Sequence, residues 1–82
     1  MKEKYYYIEI KKLLLKYENT EKCDDTLLNT YFDVGKLVES ACLKFGDKII
    51  LSLSSRLMEE VSTKYSAHSL HVMKKYYEKF HK

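Results

Sequence analysis

Apolar residues recur at intervals of three and four along most of the chain, which is the spacing of amphipathic helices. The clearest case lies between residues 25 and 45, at Leu28, Tyr31, Gly35, Val38, Cys42 and Phe45. Asp24 or Asp25 is a suitable N-cap before this segment, and Gly46 is a suitable stop after it. The pattern predicts a central helix over residues 25–45, in which Gly35 would let another backbone approach closely.

The first segment of the chain has the same periodicity. It predicts a helix over residues 4–18, with apolar positions Tyr6, Ile10, Leu13, Leu14 and Tyr17. A short strand over residues 5–10 is the alternative, because Tyr and Ile also favour extended chain. The three-and-four spacing favours the helix.

The second half of the chain predicts two further helices joined by a short polar turn. The first spans residues 47–62, with Asp47 as its expected N-cap, and the second spans residues 66–81, with Ser66 as its expected N-cap. Their apolar positions are Ile50, Leu53, Leu57 and Val61, then Leu70, Met73, Tyr77 and Phe80. A helix, a turn at residues 62–65 and a second helix form a unit similar to a helix-turn-helix.

Composition agrees with a small helical protein. Hydrophobic residues make up 45% of the sequence and charged residues 33%, which is typical of globular rather than disordered chains. Two Gly and no Pro leave few of the residues that turns between strands require. We therefore expect a single all-α domain over residues 1–82, a compact bundle of about four helices with a helix-turn-helix-like C-terminal pair.

Positive charge is concentrated near the C-terminal end. The formal net charge is +3, and residues 64–82 contain five Lys against one Glu, together with all three His. A basic segment attracts nucleic acid, an acidic protein face or anionic lipid, and its charge alone does not distinguish them. The same pattern is also typical of a solvated helix face without a partner.

No arrangement of residues predicts catalysis or a metal site. Glu9 and Lys11 have the ExK spacing of a metal-dependent nuclease strand, but no Asp precedes them to complete the metal site. His68 and His71 share a helix face, yet two ligands do not make a metal site. We therefore expect no enzyme activity, no metal, no cofactor and no small-molecule substrate.

Cysteine use and hydropathy bear on the compartment. Cys23 and Cys42 form no CxxC pair, and the chain begins without a secretory signal pattern, which favours a reducing compartment. No apolar run approaches the ~20 residues that span a bilayer. The expectation is a cytoplasmic protein of a bacterial cell or a phage-infected host, without membrane contact.

Tyrosine is unusually frequent, with eight residues in a chain of 82. Adjacent aromatic residues on one helix cannot all face one core, so some rings are expected at the surface. Tyr65 and Tyr76 adjoin the basic segment and are candidate partner-binding residues, since Tyr combines a large apolar face with a hydroxyl. The alternative is that these rings cover the edges of a small core.

Part of the chain resembles the amino-terminal helical domain of YhcG-like proteins, over roughly residues 25–80. Residues 31–36, YFDVGK, resemble that family's YWxIG(R/K) segment, and residues 45–46, FG, resemble its YG. The order of residues from 53 onward is similar to the family's LSxxLxxxFxxxxSxxNLxxMxxFY run, through Leu53, Ser54, Leu57, Ser66, Leu70, Met73 and Tyr76-Tyr77. Phe32 stands where the family has Trp, and His68-Ser69 stand where it has a basic residue and Asn.

The resemblance implies a function as well as a fold. In YhcG-like proteins this helical domain precedes a PD-(D/E)xK-type nuclease domain, which the present 82 residues are expected to lack. The helical domain alone implies a helix-turn-helix-like module that engages DNA or partner proteins.

DNA binding is therefore the first functional hypothesis. In a helix-turn-helix the second helix enters the major groove, with its first residues nearest the bases. The residues expected to face bases or sugars are Ser66, His68, Ser69 and His71, and those expected to neutralise phosphates are Lys64, Lys74, Lys75 and Lys79.

The second hypothesis is a small inhibitor or adaptor from a phage or mobile element. Such a protein would bind a nucleic-acid-processing protein complex by protein-protein contact, in an anti-CRISPR-like or anti-restriction role, and would bind free DNA weakly. A homodimer is compatible with either hypothesis, because a short chain gains buried surface by pairing.

Overall fold

The periodic segments of the sequence form helices in the structure, a computed structural model that describes residues 3–81. These residues form four helices: α1 (Glu3–Glu18), α2 (Asp24–Phe45), α3 (Ile49–Glu60) and α4 (Ala67–Phe80). The Cα radius of gyration is 11.7 Å, which matches the ~12 Å expected of a folded chain of this length. The all-α bundle is confirmed, and the alternative strand over residues 5–10 is wrong because those residues lie within α1.

Two of the predicted helix signals act as expected. Gly46 ends α2 with a φ of 84°, and its N–H donates to the Cys42 carbonyl at 2.8 Å. This left-handed conformation favours glycine. Ser66 is the N-cap of α4, and its hydroxyl oxygen accepts a hydrogen bond from the Ser69 N–H at 3.4 Å.

The predicted aspartate caps are wrong. The residue before α2 is Cys23, and Asp24 and Asp25 lie inside the first turn. There their negative charges stabilise the helix by interacting with the positive end of its dipole. The residue before α3 is Lys48, which makes no side-chain cap. Asp47 instead contributes its carbonyl to the tight turn that leads into α3, where it accepts from the Ile50 N–H at 3.1 Å.

The core lies around α2, which packs against all three other helices. Each fully buried aliphatic side chain contributes about 2 kcal/mol to folding. The largest fully buried side chains come from every helix and are Ile10, Leu14, Val34, Val38, Ile50, Leu57, Leu70 and Met73. Leu28, Phe45 and Phe80 were assigned to apolar stripes but are exposed, because they lie near the ends of α2 and α4, where the stripes extend past the core.

At Gly35 the backbones of α2 and α4 lie in close contact. A Cβ atom built at Gly35 would lie 2.1 Å from the Met73 carbonyl oxygen and 2.9 Å from the Tyr77 Cβ. Only glycine leaves room for the α4 backbone at this distance. The predicted close approach is confirmed, and it fixes the position of α4 on the bundle.

Within residues 3–81, no helix combines the length and the apolar character that crossing a membrane requires.

Candidate functional site

The outer face of α4 points away from the core. Leu70, Met73 and Tyr77 hold the opposite face against the rest of the bundle and are buried. The exposed stripe, called the outer face below, consists of His68, His71, Val72, Lys75 and Lys79. Steps of three and four residues place these side chains on one side of the helix.

The outer face carries cations that the protein itself does not neutralise. Among residues 3–81, neither Lys75 nor Lys79 forms an ion pair. The Lys79 ammonium lies 5.5 Å from the centroid of the Phe80 ring, within cation-π range. The structure therefore brings His68, His71, Lys75 and Lys79 together on one solvent-facing stripe.

Two other predicted lysines make ion pairs inside the chain. Lys64 lies 2.6 Å from Glu18, and Lys74 lies 3.5 Å from Glu78. Burial acts to lower the pKa of Lys74, but the attraction of Glu78, together with smaller contributions from Cys42 and Asp47, outweighs burial, so the pKa lies above its ordinary value. Binding a phosphate through either lysine would have to compete with a carboxylate that is already in place.

The predicted serines hold the chain turn that precedes α4. Ser66 caps the helix, and the Ser69 hydroxyl donates to the Lys64 carbonyl at 2.6 Å. Their hydroxyl groups therefore satisfy the backbone of the turn, and neither serine lies on the outer face. Together with Tyr65, these residues form what is called the junction below: Lys64, Tyr65, Ser66 and Ser69.

Tyr65 is a core residue, which makes its predicted role as an exposed aromatic wrong. Only 4% of its surface is accessible, and its hydroxyl donates to the Glu18 carboxylate at 2.5 Å. Burial and the hydrogen bond to Glu18 raise the pKa of Tyr65. Hydrogen bonds from Lys64 and Tyr65 hold the pKa of Glu18 below its ordinary value.

A second tyrosine-glutamate contact ties the other end of α1 to α3. The Tyr7 hydroxyl donates to Glu60, and Lys11 lies 2.8 Å from the same carboxylate. The Arg56 guanidinium lies 3.9 Å from the centroid of the Tyr7 ring. Burial and the hydrogen bond to Glu60 raise the pKa of Tyr7 to about 12, and hydrogen bonds from Lys11 and Tyr7 lower the pKa of Glu60.

These contacts fix the helix-turn-helix-like unit from outside. Glu60 ends α3 and Tyr65 precedes α4, so α1 holds the connecting turn at both of its ends. Sequence periodicity missed Tyr7 and Glu18 because both depend on partners that lie 53 and 47 residues away along the chain. The only local signal was the cluster of tyrosines at residues 5–7.

Tyr76, the other predicted aromatic, is half-buried on the flank of α4 that faces α2. Its ring centroid lies 6.3 Å from that of Tyr31 and 4.7 Å from that of Phe80. Phe80 is 53% exposed. We call Tyr31, Tyr76 and Phe80 the aromatic ladder; it extends the apolar surface from the core to solvent.

A half-open cavity of about 190 Å³ lies between α1, α2 and the junction. It shares Tyr31 with the aromatic ladder. Its walls include Leu14, Tyr17, Leu27, Tyr31, Tyr65 and Met73. Two ammonium groups lie near its rim, since Lys22 and Lys64 are 5.3 Å and 5.8 Å from the centroid of the Tyr17 ring.

The remaining candidate groups for chemistry lie apart. Residues 3–81 contain no cluster of three or more His, Cys, Asp or Glu side chains that could hold a metal ion. Cys23 is exposed, and a hydrogen bond with the Thr26 hydroxyl at 3.1 Å lowers its pKa. Burial raises the pKa of the Cys42 thiol, which lies in the core as expected for a residue on the apolar stripe.

Comparison with known proteins returns no relatives. No protein-family model matches the chain, and no curated protein or solved structure matches it. The resemblance to the helical domain of YhcG-like proteins therefore stays a prediction.

Proposed function

We propose that this protein is a non-catalytic module that binds DNA through the outer face of α4. The observation that carries the proposal is the exposed stripe of His68, His71, Lys75 and Lys79, whose lysines have no carboxylate partner among residues 3–81. A free cationic stripe on the second helix of a helix-turn-helix-like unit suits the negative charge of a DNA groove.

The residues of the stripe take different roles in this proposal. Lys75 and Lys79 neutralise phosphates, and each contact releases counterions, so the affinity falls as salt rises. His68 and His71 lie in the N-terminal half of α4, the part of a recognition helix that lies nearest the base edges. Ser66, Ser69 and Lys64 act indirectly, since they set the angle at which α4 leaves the turn.

A charge-reversal experiment tests the proposal. We expect Lys75→Glu/Lys79→Glu to weaken binding to duplex DNA and to reduce the slope of log K against log salt by about 2, because two phosphate contacts are lost. The measurement is a fluorescence-anisotropy titration at about 50 mM and about 200 mM salt.

The control is Lys36→Glu/Lys44→Glu, which makes the same charge change at two exposed positions of α2. It should lower affinity less and leave the salt slope nearly unchanged. Equal losses of DNA affinity in the two double variants would show that binding depends only on the net charge of the protein and not on the outer face. Wild-type binding no tighter than the ~10⁻⁴ to 10⁻⁶ M of nonspecific DNA binding at physiological salt would rule the function out.

The second candidate function is an inhibitor or adaptor that contacts a nucleic-acid-processing protein complex. The exposed end of the aromatic ladder favours it, because aromatic rings dominate the binding energy of many protein interfaces. Phe80→Ala should then weaken association with the partner and leave DNA affinity unchanged. Val72→Ala, the matched change on the outer face, should weaken DNA affinity and leave association with the partner unchanged.

A further inference from the structure

The cavity beside the junction has the size of an anchor pocket. Its volume of about 190 Å³ is below the ~300 Å³ at which pockets for small-molecule ligands begin. Leu14, Leu27 and Met73 contribute apolar atoms, and three tyrosine rings contribute aromatic surface. The remaining lining residues, Thr30, Lys64 and Ser69, are polar. A space of this size and polarity suits one aromatic or aliphatic side chain, the kind of group that anchors a protein interface.

The pocket continues into the aromatic ladder. Tyr31 belongs to both, and its ring packs edge-on against Tyr76. Ser69, Tyr76 and Phe80 follow the three-and-four spacing of one helix flank, so the surface runs along α4 for about 16 Å, or three helical turns. The pocket and the ladder together are called the docking groove below.

Positive charge lies at both ends of the docking groove. At the pocket end, Lys22 lies over the Tyr17 ring, and at the far end Lys79 lies over Phe80. Lys64 also lines the pocket, but its ammonium is paired with Glu18. Glu18 also lies near the pocket, but Lys64 and Tyr65 already occupy its carboxylate. An occupant that supplies carboxylates at its ends therefore complements the groove better than a neutral or basic one.

We propose that the docking groove binds an acidic amphipathic helix of a partner protein. One apolar side chain of that helix fills the pocket, a second packs on Phe80, and carboxylates pair with Lys22 at one end and Lys79 at the other. A helix laid in an apolar groove presents such side chains at intervals of three and four residues. The proposal specifies the surface and partner chemistry of the second candidate function and does not depend on DNA binding.

A designed peptide tests this binding directly. The probe is a capped amphipathic helical peptide of about 14 residues, with Phe and Leu on one face and Glu at both ends. The control peptide has Lys in place of each Glu. Titration into the ¹⁵N-labelled protein should produce saturable amide shifts at Leu27, Tyr31 and Phe80 with the acidic peptide, and no saturable shifts with the basic one.

Two variants test whether the peptide binds in the docking groove. Thr30 lines the pocket and is half-buried, so Thr30→Trp fills the pocket and should weaken peptide binding at least tenfold. Lys22→Glu should weaken it severalfold through charge alone. Neither residue belongs to the outer face. Thr30→Trp should therefore keep the wild-type affinity for duplex DNA, and Lys22→Glu should lose no more affinity than the Lys36→Glu/Lys44→Glu control. Circular dichroism should show unchanged helix content.

Three outcomes would overturn the proposal. The first is the absence of saturable shifts with the acidic peptide, and the second is peptide binding that Thr30→Trp leaves intact. The third is occupation of the groove by a different molecule. A second copy of the chain would be seen as a dimer whose interface shifts fall on Leu27 and Phe80. A nucleic acid would be seen if a single-stranded oligonucleotide produced the groove shifts and the peptide did not. Failure of DNA binding alone affects only the outer face and leaves this proposal standing.

Discussion

The junction and the outer face of α4 adjoin each other and contain the same kinds of residue. Two of the junction side chains bind a carboxylate of α1, whereas the outer-face side chains face solvent. At the junction, Lys64 and Tyr65 share the Glu18 carboxylate of α1. On the outer face, Lys75 and Lys79 extend into solvent without an ion pair in residues 3–81. A basic segment therefore divides into structural and available cations according to which neighbouring helix lies beside it.

The largest effect on stability is expected at the contact between Gly35 of α2 and α4, because α4 carries the outer face and part of the junction. Gly35→Ala gains about 1 kcal/mol in helix propensity, but the new Cβ would meet the Met73 carbonyl at 2.1 Å. Overpacking of this kind costs about 3 kcal/mol, so we expect a net loss of about 2 kcal/mol in the free energy of unfolding. Urea denaturation measures it, with the exposed neighbour Lys36→Ala as the control.

If Gly35→Ala were neutral or stabilising, α4 would not press on α2 as described. The control should stay within about 0.5 kcal/mol of the wild type, because surface substitutions away from special features have small effects.

The next largest loss of stability is expected at Tyr65 of the junction, and it distinguishes this buried tyrosine from the exposed ones. Tyr65→Phe keeps the buried ring and removes the hydroxyl that donates to Glu18. A hydrogen bond to a charged group contributes about 1.5–3 kcal/mol, and partial exposure of the carboxylate reduces this to about 1 kcal/mol of lost stability.

The matched control is Tyr5→Phe, since the Tyr5 ring is exposed. Thermal unfolding should lower the midpoint of Tyr65→Phe and leave that of Tyr5→Phe at the wild-type value. Equal midpoints for the two variants would show that the Tyr65–Glu18 bond does not stabilise the junction.

A smaller effect is expected as pH falls. Because the pKa of Glu18 is lowered in the folded protein, its contribution to stability is fully present above the unfolded glutamate pKa of about 4.3. It is lost as pH falls through the lower folded pKa. The stability difference between the wild type and Glu18→Gln should therefore be constant at about pH 7 and should shrink as the pH falls below about 4.3.

Denaturant titrations across that pH range measure the difference. Lys75→Ala is the outer-face control and should follow the wild-type pH profile, because Lys75 has no carboxylate partner in the described residues. A difference between wild type and Glu18→Gln that does not change with pH would contradict the ionic role of Glu18.

The smallest effect on stability is expected at the outer face itself. Lys75→Glu/Lys79→Glu should change the free energy of unfolding by no more than about 0.5 kcal/mol, although the same double variant is expected to lose DNA affinity. A large loss of stability would mean that these lysines support the fold, which would remove the distinction between the two regions.

Sequence rules anticipated the features that depend on a few neighbouring residues. Gly46 ends α2 because a left-handed residue is needed there, and Ser66 caps α4 because its hydroxyl reaches a backbone N–H three residues later. Gly35 was identified by its position in the middle of an apolar stripe. Each of these signals is contained within a single helix or its end.

Sequence rules failed where a distant partner decides the role of a residue. Tyr65 reads as a surface aromatic next to lysines, but Glu18 of α1 binds its hydroxyl and places the ring in the core. Asp47 reads as a helix cap, but the turn at Gly46 delays the start of α3 to Ile49. No local pattern indicates that α1 contacts both ends of the turn between α3 and α4.

The most direct test of the distinction is an NMR titration of the ¹⁵N-labelled protein with duplex DNA. We predict that amide shifts concentrate at His68, His71, Lys75 and Lys79, while those of Lys64 and Tyr65 stay near their free positions. Shifts concentrated at Lys64 and Tyr65, or no saturable shifts anywhere on α4, would contradict the account.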